Sequence, residues 1–108
     1  MQSDKIVNIY KLRDQIIPEY TKGGENFVLC HGHYNVIHPG HMRFIHHAKS
    51  LGNKLIVAVT ADHNFSEFEL KKMYTEQVRA QALSALEMVD YVIVDPNPTP
   101  STPIRWSW

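Results

Sequence analysis

Two histidines three residues apart, His38 and His41, flank Pro39-Gly40 shortly after an apolar run. Residues at i and i+3 share one face of a helix. Pro is favoured at the first helical position, where its missing N–H costs nothing. Pro39 is therefore predicted to open a helix, with both imidazoles beside its positive end. Free N–H groups and the helix dipole make such an end an anion site. Imidazoles added to it point to phosphate chemistry, although ordinary helix-start histidines would look the same in isolation. The chain has 7 histidines, so a metal reading also arises. Zinc takes four ligands in a structural site and three in a catalytic one. His31, His33, His38, His41, His46 and His47 have no zinc-finger spacing, and Cys30 should face away from His31 on a strand. No specific metal site is expected.

The elements that must position these residues follow from periodicity. Phe27-Val28-Leu29-Cys30 reads as a short strand buried on both faces. A helix is predicted from about Pro39 to Leu51, with Phe44, Ile45, Ala48 and Leu51 inward and Gly52 as the residue after its cap. Lys54 to Thr60 is the strongest strand. Asp62 to Lys72 is polar and reads as a loop. Thr75 can cap a helix over Glu76 to Met88 with Val78, Leu83 and Leu86 inward. Tyr91 to Val94 is a third strand. Ahead of these, Ile9, Leu12, Ile16 and Ile17 fall near helical spacing, which predicts a helix over residues 5–21, ended or kinked at Pro18. The order β–α–β–α–β with short connections defines an α/β fold, a Rossmann-like parallel sheet with helices on both faces. A single domain over residues 1–95 is expected. The tail, 96–108, holds four of the six prolines and both tryptophans, which argues against regular structure there.

Composition narrows the function. Lys plus Arg and Asp plus Glu are both 11, so no net field draws the 108-residue chain to nucleic acid or a membrane. A charged ligand must be held by a local site. One cysteine permits no internal disulfide, which fits a reducing compartment. The opening residues lack an apolar signal core, and no run approaches the roughly 18–20 apolar residues that span a bilayer. A cytoplasmic protein is the expectation.

The run Gly32-His33-Tyr34-Asn35-Val36-Ile37-His38-Pro39-Gly40-His41 resembles the Gly-x-Phe-Asp-x-x-His-x-Gly-His motif of the cytidylyltransferase-like nucleotidyltransferases, with Asn35 in place of the commoner Asp. Ala48 to Val59 is also similar to that family, as is Arg79 standing eleven residues before Asp90. The likeness covers roughly residues 26 to 95 and is strongest toward the adenylyltransferase domain of ADP-heptose synthases and toward glycerol-3-phosphate cytidylyltransferase. The resemblance implies transfer of a nucleoside monophosphate from CTP or ATP, with Mg²⁺, to a phosphorylated sugar or polyol, releasing pyrophosphate. It implies that His38 and His41 contact the triphosphate, with Lys72 and Arg79 as further catalytic groups. It assigns nucleotide contacts to Gly32, His33, Tyr34, Asn35, Gly40 and Lys71. Asp62, at the ligand-facing end of the second strand, is a candidate for substrate contact, with capping of the loop as the alternative.

Family sheets run in the order 3-2-1-4-5, and this chain is shortened after the third strand. The strand from Phe27 would then lie at an open edge, which pairs readily with other chains. A homo-oligomer, or a fragment of a longer chain, is the expectation. The rival function is a truncated, nucleotide-binding homologue that acts through oligomer contacts without turnover. A dinucleotide-binding site is rejected because the Gly-x-Gly-x-x-Gly run is missing.

Overall fold

A computed structural model describes residues 3–96 and 104–106. Three parallel strands, β1 (Phe27–Gly32), β2 (Lys54–Thr60) and β3 (Tyr91–Asp95), lie in the order β3-β2-β1. Between them run the helices α3 (Pro39–Ser50) and α5 (Glu76–Ser84), which follow α1 (Ile9–Lys11) and α2 (Ile17–Lys22) in the chain. The expected α/β Rossmann-like sheet is what forms.

Alternation along the strands sends side chains to two cores. On one face Val28, Cys30, Leu55, Val57, Val59 and Val92 pack under Ile45 and Ala48 of α3 and Ala80 and Leu83 of α5. On the other, Phe27, Leu29, Ile56, Ala58 and Ile93 pack under Leu12 and Ile17. The N-terminal helical segment thus supplies the second layer that a two-sided parallel sheet requires. The pairing Phe27↔Lys54 through Gly32↔Val59, with Thr60↔Asp95 beside it, aligns the carboxyl ends of all three strands.

Asp90 fixes this register from the other end. Its Oδ2 accepts from the Leu55 N–H at 2.7 Å and from Lys49 Nζ at 2.6 Å, joining β2 to the last turn of α3. Gly52 sits where the chain re-enters the sheet. A Cβ there would lie 2.8 Å from both Asn26 Oδ1 and Val28 Cγ2, so close approach rather than a left-handed cap accounts for the glycine.

Several expectations are corrected. Residues 5–8 are not helical: the Val7 N–H donates to the Val92 carbonyl and the Val92 N–H to that of Lys5, so Ile6 bridges the outer edge of β3. Helix begins at Ile9 because Asn8 Oδ1 accepts from the Lys11 N–H at 2.7 Å. Pro18 neither ends nor interrupts the helical path, which runs on to Lys22. The turn before it, Leu12–Ile16, is widened to i→i+5 bonding, and Pro18 falls in the first turn of α2, where no N–H is needed.

The stretch read as a loop holds a 3₁₀ turn (Asp62–Asn64) and a short helix, α4 (Glu67–Leu70). The cause is a capping box. The Ser66 hydroxyl accepts from the Glu69 N–H, and the Glu69 carboxylate from the Ser66 N–H. Helix α5 ends at Ser84, four residues short of Met88, and Val78 faces out at 45% exposure because Arg79 takes the inward position. Leu51, expected inward, caps α3 and is also exposed.

The edge of β1 is not open along its whole length. β4 (Ile104–Trp106) pairs antiparallel with it, Leu29↔Ile104 to Phe27↔Trp106. The tail therefore contributes a fourth strand next to β1, antiparallel to it. The rest of the tail expectation, 97–103 and 107–108, lies outside the described residues.

Candidate nucleotide site

The carboxyl ends of open parallel strands are where such sheets take ligands. A cleft of about 780 Å³ lies there, lined by His31 to Val36, His41, Thr60, Asn64, Phe65 and Glu69. It joins the end of β1, the end of β2 and the turn into α4.

The floor depends on a strained tyrosine. Tyr34 takes φ 49°, a left-handed conformation unfavourable for a residue with a Cβ. Burial of its ring offsets that strain: it is 3% exposed and packs in the core beside Cys30 and Ile45. Its hydroxyl faces Cys30 Sγ at 3.7 Å. Burial pushes the Cys30 thiol up to about 11, so it stays protonated and unreactive at neutral pH. A Cβ on Gly32 would lie 2.6 Å from the Tyr34 ring, so Gly32 is required by the tyrosine that follows it.

The two motif histidines close the start of α3 reciprocally. His38 Nδ1 accepts from the Gly40 N–H at 3.0 Å, and His41 Nδ1 accepts from the His38 N–H at 3.3 Å. The rings stack, with centroids 3.9 Å apart and planes 25° from parallel. A ring nitrogen that accepts from an N–H carries no proton, so both neutral imidazoles hold theirs on Nε2. Desolvation and the neighbouring His38 push His41 below the ordinary histidine range, against the pull of the Val36 carbonyl. At neutral pH His41 is thus an uncharged Nε2–H donor. A Cβ on Gly40 would meet His38 Cε1 at 2.8 Å, so the glycine makes room for the capping ring.

Arg79 organises the side of the cleft. It is 1% exposed. Its Nε donates to the Tyr74 carbonyl, Nη1 to the carbonyls of His33 and Thr60, and Nη2 to Asp62 Oδ1 at 2.6 Å. Asp62 is therefore paired with Arg79. Glu76, one turn before Arg79, instead accepts from the Asp62 N–H. Asn35 Oδ1 accepts from the Tyr74 N–H at 2.7 Å, tying the motif to the start of α5. An aspartate carboxylate would accept the same bond, which explains why Asn serves here. The Phe65 ring lies edge-on to His33 at 4.7 Å and under the Arg79 guanidinium at 5.5 Å.

The structure thus gathers Gly32, His33, Tyr34, Asn35 and His41 on the cleft, with His38 and Gly40 beside it and Arg79 and Asp62 behind it. It does not bring Lys71 or Lys72 there. Both are exposed, and Lys72 Nζ rests 4.3 Å over the Phe68 ring. Thr60, Asn64 and Glu69 line the cleft without having been singled out from the sequence. Thr60 is the last residue of a strong strand, and Glu69 is the closing residue of the Ser66 capping box; Asn64 carries no comparable signal. Among the described residues no group of three His, Cys, Asp or Glu is placed to hold a metal ion, and no helix is long and apolar enough to cross a membrane.

The fold and this motif at its strand ends define a nucleotidyltransferase-type α/β domain. The chain belongs to the cytidylyltransferase-like family, whose model matches residues 29–105. The bifunctional protein HldE of Magnetococcus marinus is 34% identical over 101 residues, 92% of this chain and 20% of that protein. HldE of Wolinella succinogenes is 33% identical over 93 residues, 84% of this chain and 20% of its own. The chain spans about one fifth of the length of these relatives. A solved structure of a lipopolysaccharide core biosynthesis protein from Thermoplasma volcanium superposes with a TM-score of 0.58 at 28% identity, covering 67% of this chain and 59% of the other.

Proposed function

We propose that this chain is a nucleotidyltransferase that moves a nucleoside monophosphate from CTP or ATP to a phosphorylated sugar or polyol. An oxygen of the acceptor phosphate attacks the α-phosphorus. The bond from that phosphorus to the bridging oxygen breaks, and pyrophosphate leaves with the electron pair. Such chemistry needs positioning and charge stabilisation more than a protein nucleophile. The observation that carries the reading is the stacked His38–His41 pair capping α3 at the carboxyl end of β1.

His41, and His38 stacked on it, offer two Nε2–H donors to the triphosphate and to the charge that develops on it. Backbone N–H groups between Gly32 and Tyr34 line the same space. Arg79 and Asp62 hold the walls: the guanidinium fixes the His33 and Thr60 carbonyls, so the two strand ends keep their separation. Mg²⁺ suits a site of this kind as a passenger on the nucleotide, since it keeps several waters and binds through phosphates with few protein ligands. When bound it neutralises charge on the triphosphate.

One observation favours the second reading, a binding module without turnover. Among the described residues, no lysine or arginine lines the cleft. Pyrophosphate release from CTP and ATP, assayed against a panel of phosphorylated sugars and polyols, separates the two. Turnover with one pair establishes the transferase; nucleotide binding with no turnover for any pair establishes the module. Under either, His41→Ala is expected to weaken nucleotide binding by roughly tenfold or more, the loss of one hydrogen bond to a charged group. Unchanged affinity in calorimetry would sink both.

A further inference from the structure

One buried imidazole on the cleft is left out of the phosphate reading. His31, near the end of β1, is 6% exposed, and its Nδ1 is buried without a hydrogen-bond partner among the described residues. Burying a polar atom unpaired is costly, so this nitrogen calls for an acceptor close by to take its proton. Asp95 at the end of β3 faces it, with Oδ2 3.7 Å from that Nδ1. This gap exceeds a hydrogen bond by roughly 0.5–1 Å.

A carboxylate facing one ring nitrogen draws the proton to it and leaves the other nitrogen as an acceptor. That is the reverse of His38 and His41, whose Nδ1 atoms are held by backbone N–H groups. Burial also keeps His31 neutral, lowering its pKa against the opposing pull of Asp95. His38 and His41 are then proton donors suited to phosphate oxygens, and His31 is an acceptor suited to an O–H. Building on the nucleotidyltransferase reading, we infer that His31 is a hydroxyl-reading residue: it turns Nδ1–H toward Asp95 and offers Nε2 to a hydroxyl of the bound ribose or polyol.

The tautomers are read directly on the full chain by long-range nitrogen-15 correlation spectra. His31 is expected as the Nδ1–H form, and His38 and His41 as Nε2–H forms. A His31 signal with the proton on Nε2 overturns the inference without any ligand or substitution. Binding then identifies the source of the hydroxyl. ATP and CTP are compared with their 2′,3′-dideoxy analogues, and glycerol 3-phosphate with propyl phosphate.

The unaltered chain is expected to prefer the hydroxylated member of one pair by about tenfold, and His31→Leu to erase that preference while pyrophosphate still binds. Preference within the nucleotide pairs assigns a ribose; preference within the phosphate-ester pair assigns the acceptor. A preference that survives in His31→Leu, or no preference in either pair, overturns the role. His31→Gln, which retains an acceptor oxygen, is expected to restore part of the preference and serves where the leucine variant does not fold. Pyrophosphate failing to bind the unaltered chain overturns the phosphate site itself, a result distinct from the loss of hydroxyl preference alone.

Discussion

Gly40 has no side chain because the His38 ring already fills the place a Cβ would take. Gly40→Ala is therefore expected to displace that ring and lose the cap of α3, a cost of about 1 kcal/mol in urea unfolding. Nucleotide binding should weaken with it. His31 sets a pH dependence. Its pKa in the folded chain lies below the ordinary value, mainly through burial. A group of this sign favours folding while it is neutral. Its contribution is complete above about pH 6.5, the unfolded value, and is lost as pH falls through the folded one. Stability measured from pH 7.5 to 5 should drop, and His31→Asn should make the drop shallower; a rise on acidification would contradict this. At this scale the motif residues are legible in the sequence from the Pro39 start and the histidine spacing. The role of Arg79 is less so, because nothing in sequence distance reveals that residues 33, 60, 62 and 74 all converge on one guanidinium.

Among the elements, the three parallel strands are legible because each is a continuous apolar run bounded by turn residues. Helix α4 is legible in principle, as Ser66 with Glu69 three residues on, but four residues surrounded by polar chain carry little periodicity. The inward face of α5 is misread from hydrophobicity alone, since the residue that points in is an arginine and a neighbouring valine points out. Asp90 ties the elements together. Removing its carboxylate strands the Leu55 N–H and leaves Lys49 Nζ with the Asn53 carbonyl alone, so Asp90→Ala is expected to cost about 1–3 kcal/mol in chemical denaturation. Asp90→Asn keeps an acceptor for the Leu55 N–H and should cost less. Equal costs for the two variants would show that the Leu55 N–H bond is not what the carboxylate contributes.

At the scale of the whole molecule, β4 covers β1 over Phe27–Leu29 among the described residues. A chain ending at Pro96 would bare that edge and is expected to self-associate in sedimentation at micromolar concentration, while the full chain associates less. The strand was not legible beforehand because Pro-rich composition dominates the tail; three residues suffice to pair once the sheet supplies a template.

Arg79 has a last consequence, which concerns time. Its bonds reach back five, seventeen, nineteen and forty-six residues along the chain. Contacts so far apart close only after intervening chain has been ordered, so the cleft wall should be among the last features to form. The same bonds should be among the first to open in partial unfolding. A chain that keeps its sheet and helices by far-ultraviolet dichroism can therefore already have lost its binding site.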